Sequence, residues 1–591
     1  MTIPNIILPL CVFLAVASAL WPVPVGYTPG NDVLWIDQSV QITYAGAYQV
    51  SDSDTNQHPL TQWLKGFFLQ NAGDHTNGTN NVISTAISRT KDTLFNKNIV
   101  PWKFHERNTD FEPAANGTKQ TITSIVLQQN GTDAKDVLKP LDGDVDESYS
   151  LSVTSDGRVS ITAPSSIGLA HGLTTFTQLF YKHSAGGVYT NLAPIQIYDK
   201  PKFQHRGLNM DVSRSYYPPA DILRTIDALS YTKMNRLHIH ATDSQSWPLE
   251  IPSLPELAGK GAYHASQTYT PADLQSIQQY GAARGVEVII EIDMPGHTSS
   301  IWFSHPDLIA AFNQQPDWNT YAAEPPSGTL KLNSSAVTSF LDTLFADLLP
   351  RVSPYSNYFH TGGDEVNPNA YLLDDTVRSN STSIIQPLMQ SFVSANHARV
   401  RSAGLTPIVW EEMLLQWNLT LGSDVIVQTW QSDAAVALTV SQGHKALAGN
   451  YEYWYLDCGQ GQWLNFGPYS AATYYPYADY CSPRKNWKLV YQYDPLQGVP
   501  GNASHLVLGG EVHIWSETTD PVNLDRQVWP RAAAAAEVLW SGAKDEVGRN
   551  RSLVDAAARL GVFRERLVAA GVGSEPVHMV FCTMNETNCV L

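Results

Sequence analysis

From Pro201 onward the chain repeats one unit. A short apolar run is followed by a helical pattern, and apolar runs recur eight times. They are Gln204–Asp211, Asn235–Ala241, Val286–Ile292, Tyr358–Thr361, Thr406–Trp410, Asp424–Trp430, Lys445–Ala448 and Leu506–Trp515. Helical stretches between them include Pro219–Tyr231, Pro271–Arg284, Ala336–Arg351, Ile384–Ala403 and Asp433–Gln442. The second is well bounded: Thr270 is its N-cap, Pro271 opens it, Asp273 lies in its first turn and Gly285 follows its end. Eight such alternations over more than 300 residues predict a (β/α)8 TIM barrel. In a barrel of this kind the chemistry gathers at the C-terminal ends of the strands, so the polar residues that close each run are the candidates.

The fourth run is the most informative. It passes from Tyr358-Phe359-His360 into Gly362-Gly363, then presents Asp364 and Glu365 side by side. Two like charges this close resist ionising together, so one should hold a proton near neutral pH beside a charged neighbour. The other runs end on comparable residues. The first carries Arg206 and ends at Asp211. The second supplies His240 and Asp243, and the third Asp293 and His297. The fifth and sixth end at Trp410 and Trp430. Trp454-Tyr455-Leu456-Asp457 follows the seventh, and the eighth runs into Trp515-Ser516-Glu517. A histidine on a strand is ordinarily core and a rim tryptophan ordinarily packing. Their shared position at successive strand ends points to a site.

Residues 20–195 read as a smaller α+β accessory domain. Strand-like alternation covers Val33–Tyr44, Gln120–Leu127 and Tyr149–Ile161, a helical pattern covers Ser165–Phe180, and Asp52–Asn81 is rich in turn residues. Residues 1–19 carry no charged side chain and end on Ala17-Ser18-Ala19, the pattern of a secretory signal peptide, so a secreted, extracellular protein is expected. With Cys11 removed, Cys458, Cys481, Cys582 and Cys589 remain. An even count in a secreted chain predicts two disulfides, with neighbours pairing as the simplest of three connectivities. Asn-x-Ser/Thr acceptors spread from Asn77 to Asn585 accord with a glycoprotein on that route. A net charge of −18 argues against nucleic acid or an anionic membrane as partner. The 16 Trp and 27 Tyr suit a neutral sugar, whose C–H faces stack on flat rings. Histidines and carboxylates are available as metal ligands, yet no tight His-x-x-x-His pair occurs, and no metal or cofactor is expected.

The motifs His205-Arg206-Gly207, His240-Ala241-Thr242-Asp243, Glu291 to His297, His360 to Glu365, Trp454 to Asp457, Gly509 to Glu517 and Trp529 to Ser541 together resemble glycoside hydrolase family 20. They are similar in particular to its secreted fungal β-N-acetylhexosaminidases, over nearly the whole chain after the signal peptide. The resemblance implies a catalytic barrel with a C-terminal extension over 196–591, a homodimer, and a β-linked N-acetylhexosaminide oligosaccharide as substrate. It implies substrate-assisted catalysis, in which the sugar's own 2-acetamido oxygen attacks the anomeric carbon. Glu365 then matches the acid/base, Asp364 the partner of the acetamide N–H, and Tyr455 the donor to the acetamide oxygen. Trp410, Trp430 and Trp515 match aromatic walls, and Arg206, Asp457 and Glu517 match residues that bind sugar hydroxyls. Asp243, His297, His240 and His360 match supporting positions behind the acid.

Overall fold

A computed structural model of the protein describes residues 19–45, 77–133, 137–467 and 471–591. The expected signal peptide, apart from its last residue, and most of Asp52–Asn81 lie outside the described residues.

The eight predicted runs form eight parallel strands that close on themselves: His205–Asp211, Arg236–His240, Glu287–Glu291, Tyr358–His360, Thr406–Trp410, Ile426–Gln428, Lys445–Ala448 and Val507–Ile514. Closure is made by the last strand against the first, with Gly510 opposite Arg206 and Ile514 opposite Met210. Every strand residue is buried except Thr406 and Lys445, which explains why the runs read as continuous rather than alternating. Inside the barrel Ile289, Tyr358, Ile408, Ile426, Leu447 and Leu508 pack into one apolar layer. Helices Pro219–Tyr231, Pro271–Ala282, Ser335–Val352 and Thr382–Ser402 supply an outer core. Thr270 and Asp273 cap the second of them reciprocally, as its sequence signals require. The repeat is looser in its second half. Only the single turn Glu412–Leu415 follows the fifth strand, and a long insertion carrying Tyr451–Trp454 and Trp487–Gln492 separates the seventh from the eighth. Among the described residues no helix is long and apolar enough to cross a membrane.

The accessory domain is an eight-stranded mixed sheet with helices Asn77–Phe95 and Ser166–Gln178. The long run at Tyr149–Ile161 is a hairpin, Tyr149–Val153 and Val159–Ala163, turned at Gly157, whose φ of 84° suits glycine. Strand Ile195–Asp199 belongs to this sheet, so the chain leaves the domain slightly beyond the expected boundary at residue 195.

The two domains meet through buried charges. Lys233 Nζ donates to Asp199 Oδ2 at 2.8 Å, and Arg236 Nη2 donates to Asp142 Oδ1 at 3.0 Å. Arg206 Nη1 donates to Glu147 Oε1 at 3.0 Å, and its Nε donates to the Lys233 carbonyl at 2.9 Å. This corrects the sugar-binding role expected of Arg206. It stands near the start of the first strand, on the barrel floor, with roughly 16 Å of strand between it and the C-terminal mouth. Its side chain is wholly buried and committed to the accessory domain. Both disulfides join neighbours, Cys458 to Cys481 and Cys582 to Cys589.

Candidate active site

The fourth strand stops at His360, and the next five residues are built around a close approach. Gly362 and Gly363 take φ of 66° and 111°. A Cβ on Gly362 would lie 1.7 Å from Asp293 Oδ1, and one on Gly363 would lie 2.7 Å from Met413 Cγ. Only glycines let the chain pass here. Glu365 itself adopts φ of 51°, a left-handed conformation that costs a side-chain-bearing residue on the order of 1–3 kcal/mol and that recurs at functional sites. The turn buries Asp364 and leaves the Glu365 carboxylate partly exposed.

His297, also at positive φ, stands between the two carboxylates and the second strand. Its Nε2 lies 3.3 Å from Glu365 Oε2 and 3.9 Å from Asp364 Oδ2, and its Nδ1 lies 3.0 Å from Asp243 Oδ1. Asp243 Oδ2 receives His240 Nε2 at 2.7 Å and Arg214 Nη2 at 2.9 Å. Burial opposes the charge on Asp243, but Arg214 and His297 outweigh it and hold the carboxyl far below the usual range. Burial likewise opposes a charged His297, yet Asp243 and Asp364 raise it well above an ordinary imidazole. An imidazolium is therefore aimed at Glu365 from a fixed carboxylate. Asp364 is shifted upward by burial, moderated by His297.

An aromatic chamber adjoins the pair. Trp410, Tyr455 and Trp515 pack with Cys458–Cys481, joined by the half-buried Trp430 and Tyr451. Tyr455 lies nearly parallel to Trp430 at 6.0 Å between ring centroids, and Trp410 is 6.1 Å from Trp515. Trp410 is fully buried, its indole N–H donating to Glu291 Oε1 at 2.7 Å. His360 lies behind it, its Nδ1 accepting from Gly362 N at 2.9 Å.

Arg214 takes the place expected of Arg206. Three residues past the first strand, it lies 5.2 Å over the Trp515 ring and meets Asp211, Asp243 and Glu324 at 3.4, 2.9 and 3.2 Å. Two further carboxyls complete this end. Burial pushes Asp457 up to about 7, moderated by the N–H groups of its own backbone and of Trp515. Burial and then Glu324 push Glu517 well above the usual carboxylate range. A neutral Glu517 near the Arg214 guanidinium can donate and accept at once, which suits hydroxyl recognition. The sequence reading missed Arg214, whose signal was its position in the loop after a strand end. It named Asp293 among the strand-end candidates without giving it a role, and it passed over Glu291 as a site residue and Glu324, which nothing in its sequence context marks. Among the described residues three sets bring donor atoms within 4.8 Å of one another: His238, Glu291 and His360; Asp293, His297 and Asp364; and Asp457 with Cys458 and Cys481, whose sulfurs are joined as a disulfide.

Residues 203–543 match the family model described as glycosyl hydrolase family 20, catalytic domain, and residues 20–179 match one described as beta-acetyl hexosaminidase like. A beta-hexosaminidase of Arthroderma benhamiae is 44% identical over 97% of this chain and 97% of its own length. A probable beta-hexosaminidase of Drosophila melanogaster is 33% identical over 82% of this chain and 74% of its own. In fold the chain is similar to a chitobiase of Flavobacterium johnsoniae (TM-score 0.69, 23% identity, covering 94% of this chain and 73% of that one). It is similar also to an N-acetyl-beta-hexosaminidase of Streptomyces plicatus (TM-score 0.64, 22% identity, 95% and 96% covered). With the catalytic-domain model spanning more than half of its residues, the chain belongs to glycosyl hydrolase family 20.

Proposed function

We propose that this glycoside hydrolase is an exo-acting, retaining β-N-acetylhexosaminidase that releases terminal N-acetylglucosamine or N-acetylgalactosamine through an oxazolinium intermediate. The observation that carries the reading is the placement of Asp364 and Glu365 around one imidazolium, beside a closed aromatic chamber. Neighbouring carboxylates fed by one histidine do not flank a sugar from opposite faces, as a nucleophile and an acid would have to. They suit a division in which the substrate brings its own nucleophile.

In this reading Glu365 protonates the leaving oxygen and then takes a proton from water. Its partly exposed carboxylate gives it access to both. Asp364 accepts the acetamide N–H and stabilises the positive charge as the carbonyl oxygen bonds to the anomeric carbon. Tyr455 donates to that oxygen, while Trp410, Trp430 and Trp515 confine the methyl. Arg214, Asp457 and Glu517 hold the hydroxyls of one terminal sugar. A secreted protein accords with its two disulfides.

The test offers the enzyme a chromogenic N-acetylglucosaminide, the matching glucoside, and a chitin oligomer. Hydrolysis of the N-acetylglucosaminide but not of the glucoside, with single sugars leaving the oligomer as the β-anomer, is expected. Comparable rates on the glucoside, or internal cleavage of the oligomer, would overturn the reading.

A further inference from the structure

We propose that Glu291 is a positioning residue for this reaction, fixing the acetamide wall with one oxygen and the acid catalyst with the other. The inference rests on the function proposed above and assigns a role to a carboxylate that touches neither sugar nor acetamide.

Glu291 ends the third strand, wholly buried at the top of the barrel axis. Its Oε1 accepts the indole N–H of Trp410 at 2.7 Å, which sets the tilt of that ring in the chamber. Its Oε2 lies 2.6 Å from His240 Nδ1. His240 passes the constraint on, because its Nε2 meets Asp243, Asp243 meets His297, and His297 meets Glu365. Both arms of the chemistry therefore depend on one side chain with two fixed bonds. With both ring nitrogens 2.6–2.7 Å from carboxylate oxygens, His240 is held as a double donor and cannot flip.

The arrangement continues below the site. His238 Nε2 lies 3.1 Å from Glu291 Oε2, and its Nδ1 lies 3.0 Å from Glu511 Oε2. Glu511 Oε1 meets His205 Nε2 at 2.7 Å, and His205 Nδ1 meets Asp142 of the accessory domain at 3.3 Å. Carboxylates and imidazoles thus alternate along the whole barrel axis, from the accessory domain to the acid. A buried ionic column of this length costs desolvation at every member. Simple packing does not call for it, whereas holding one ring and one acid in register does.

Turnover of Glu291→Gln is compared with the parent on two N-acetylglucosaminides, one with an activated aryl leaving group and one with an alkyl alcohol. Affinity for a thiazoline analogue of the oxazolinium is measured alongside. The amide keeps the shape but places an N–H against either the indole or His240. Turnover on the alkyl glycoside should fall on the order of 10²-fold, less on the aryl glycoside, and thiazoline affinity should weaken. His240→Gln should reproduce the leaving-group effect and leave thiazoline affinity intact. The ¹⁵N signals of His240 should report two N–H groups in the parent and one in Glu291→Gln. If that variant does not fold, Glu291→Asp, too short to reach both partners, carries the same comparison. A folded variant with an unchanged leaving-group ratio and unchanged affinity would overturn the positioning role. A parent inactive on both glycosides would instead overturn the proposed function.

Discussion

Asp293 and Asp364 bring carboxyl oxygens within 4.8 Å of one another, both buried, and of the two it is Asp293 that is driven furthest toward the neutral acid. Burial and the neighbouring Asp364 charge push Asp293 well above the usual carboxylate range. Asp293 Oδ2 and Asp364 Oδ1 are both buried without a hydrogen-bond partner, and a proton carried by Asp293 and shared with Asp364 would satisfy the two together. Asp293 Oδ1 meanwhile accepts from Gly363 N at 2.7 Å and fixes the turn that presents the pair. A neutral acid used in this way resembles an amide. Asp293→Asn should therefore keep activity close to that of the parent, whereas Asp293→Ala should lose about 1–3 kcal/mol of transition-state stabilisation by leaving Asp364 without its donor. An Asn variant as damaged as the Ala variant would mean that Asp293 works as an anion.

Glu365→Gln removes the proton donor while keeping its volume. Turnover should fall by ~10²–10⁴ on poor leaving groups and much less on activated ones. Equal losses on both would mean that the variant perturbs binding rather than proton transfer. Asp364→Asn should lower turnover more than ground-state affinity, because the charge it stabilises exists chiefly in the transition state.

The barrel was legible because its strands are buried on both faces, and the strand ends were legible because polar residues there have few structural reasons to exist. Asp364, Glu365, His297 and Tyr455 were singled out in that way, and the fold gathers the first two around the imidazole of the third. What failed was position along a strand. Arg206 lies inside the first strand near its start and Arg214 lies three residues past its end, and a matched motif at the one drew attention from the other, which stands at the mouth. Glu291 and Asp293 were in view at the end of the third strand, but only their contacts with Trp410, His240 and Asp364 reveal what they do. Tyr480 shows the reverse problem. It stands beside Cys481 in a loop of ordinary composition, and the disulfide to Cys458 brings it near Tyr451 and the pocket carboxyls.

The two arginines separate experimentally. Arg214→Ala removes the cation over Trp515 and should raise KM for the aryl glycoside; because it also strands the buried Asp211 and Asp243, melting temperature should fall, so KM is the reading that tells the two variants apart. Arg206→Ala breaks a buried pair and strands Glu147, a loss of about 3–5 kcal/mol in stability, with KM unchanged in the folded fraction. A large KM effect in the Arg206 variant would restore the sugar-binding role that the fold withdraws.

The charged floor also sets how stability follows pH. Burial opposes the charge on Asp142 and on Glu147, but Arg236 and His205 lower the first to about 2, and Arg206 and His171 lower the second to about 2. A carboxyl depressed in the folded state stabilises fully above its unfolded pKa near 4, and that contribution disappears as pH falls through 2. For shifts of about two units each pair is worth on the order of 3 kcal/mol. His238 acts with the opposite sign. Burial disfavours its charge, yet Glu511 and Glu291 raise it to about 9, so its contribution is complete below an unfolded pKa near 6.5 and is lost as pH rises through 9. The contributions of these three groups are therefore all in place between about pH 4.5 and 6.5, and melting temperature should fall on the acid side of that window as the floor pairs are protonated. The acid limb should flatten in the Asp142→Asn, Glu147→Gln double variant, which starts less stable but has fewer protons to take up on unfolding. Thermal unfolding followed from pH 2 to 9 in both proteins reads this directly. Parallel acid limbs in parent and double variant would show that the floor pairs do not govern acid unfolding.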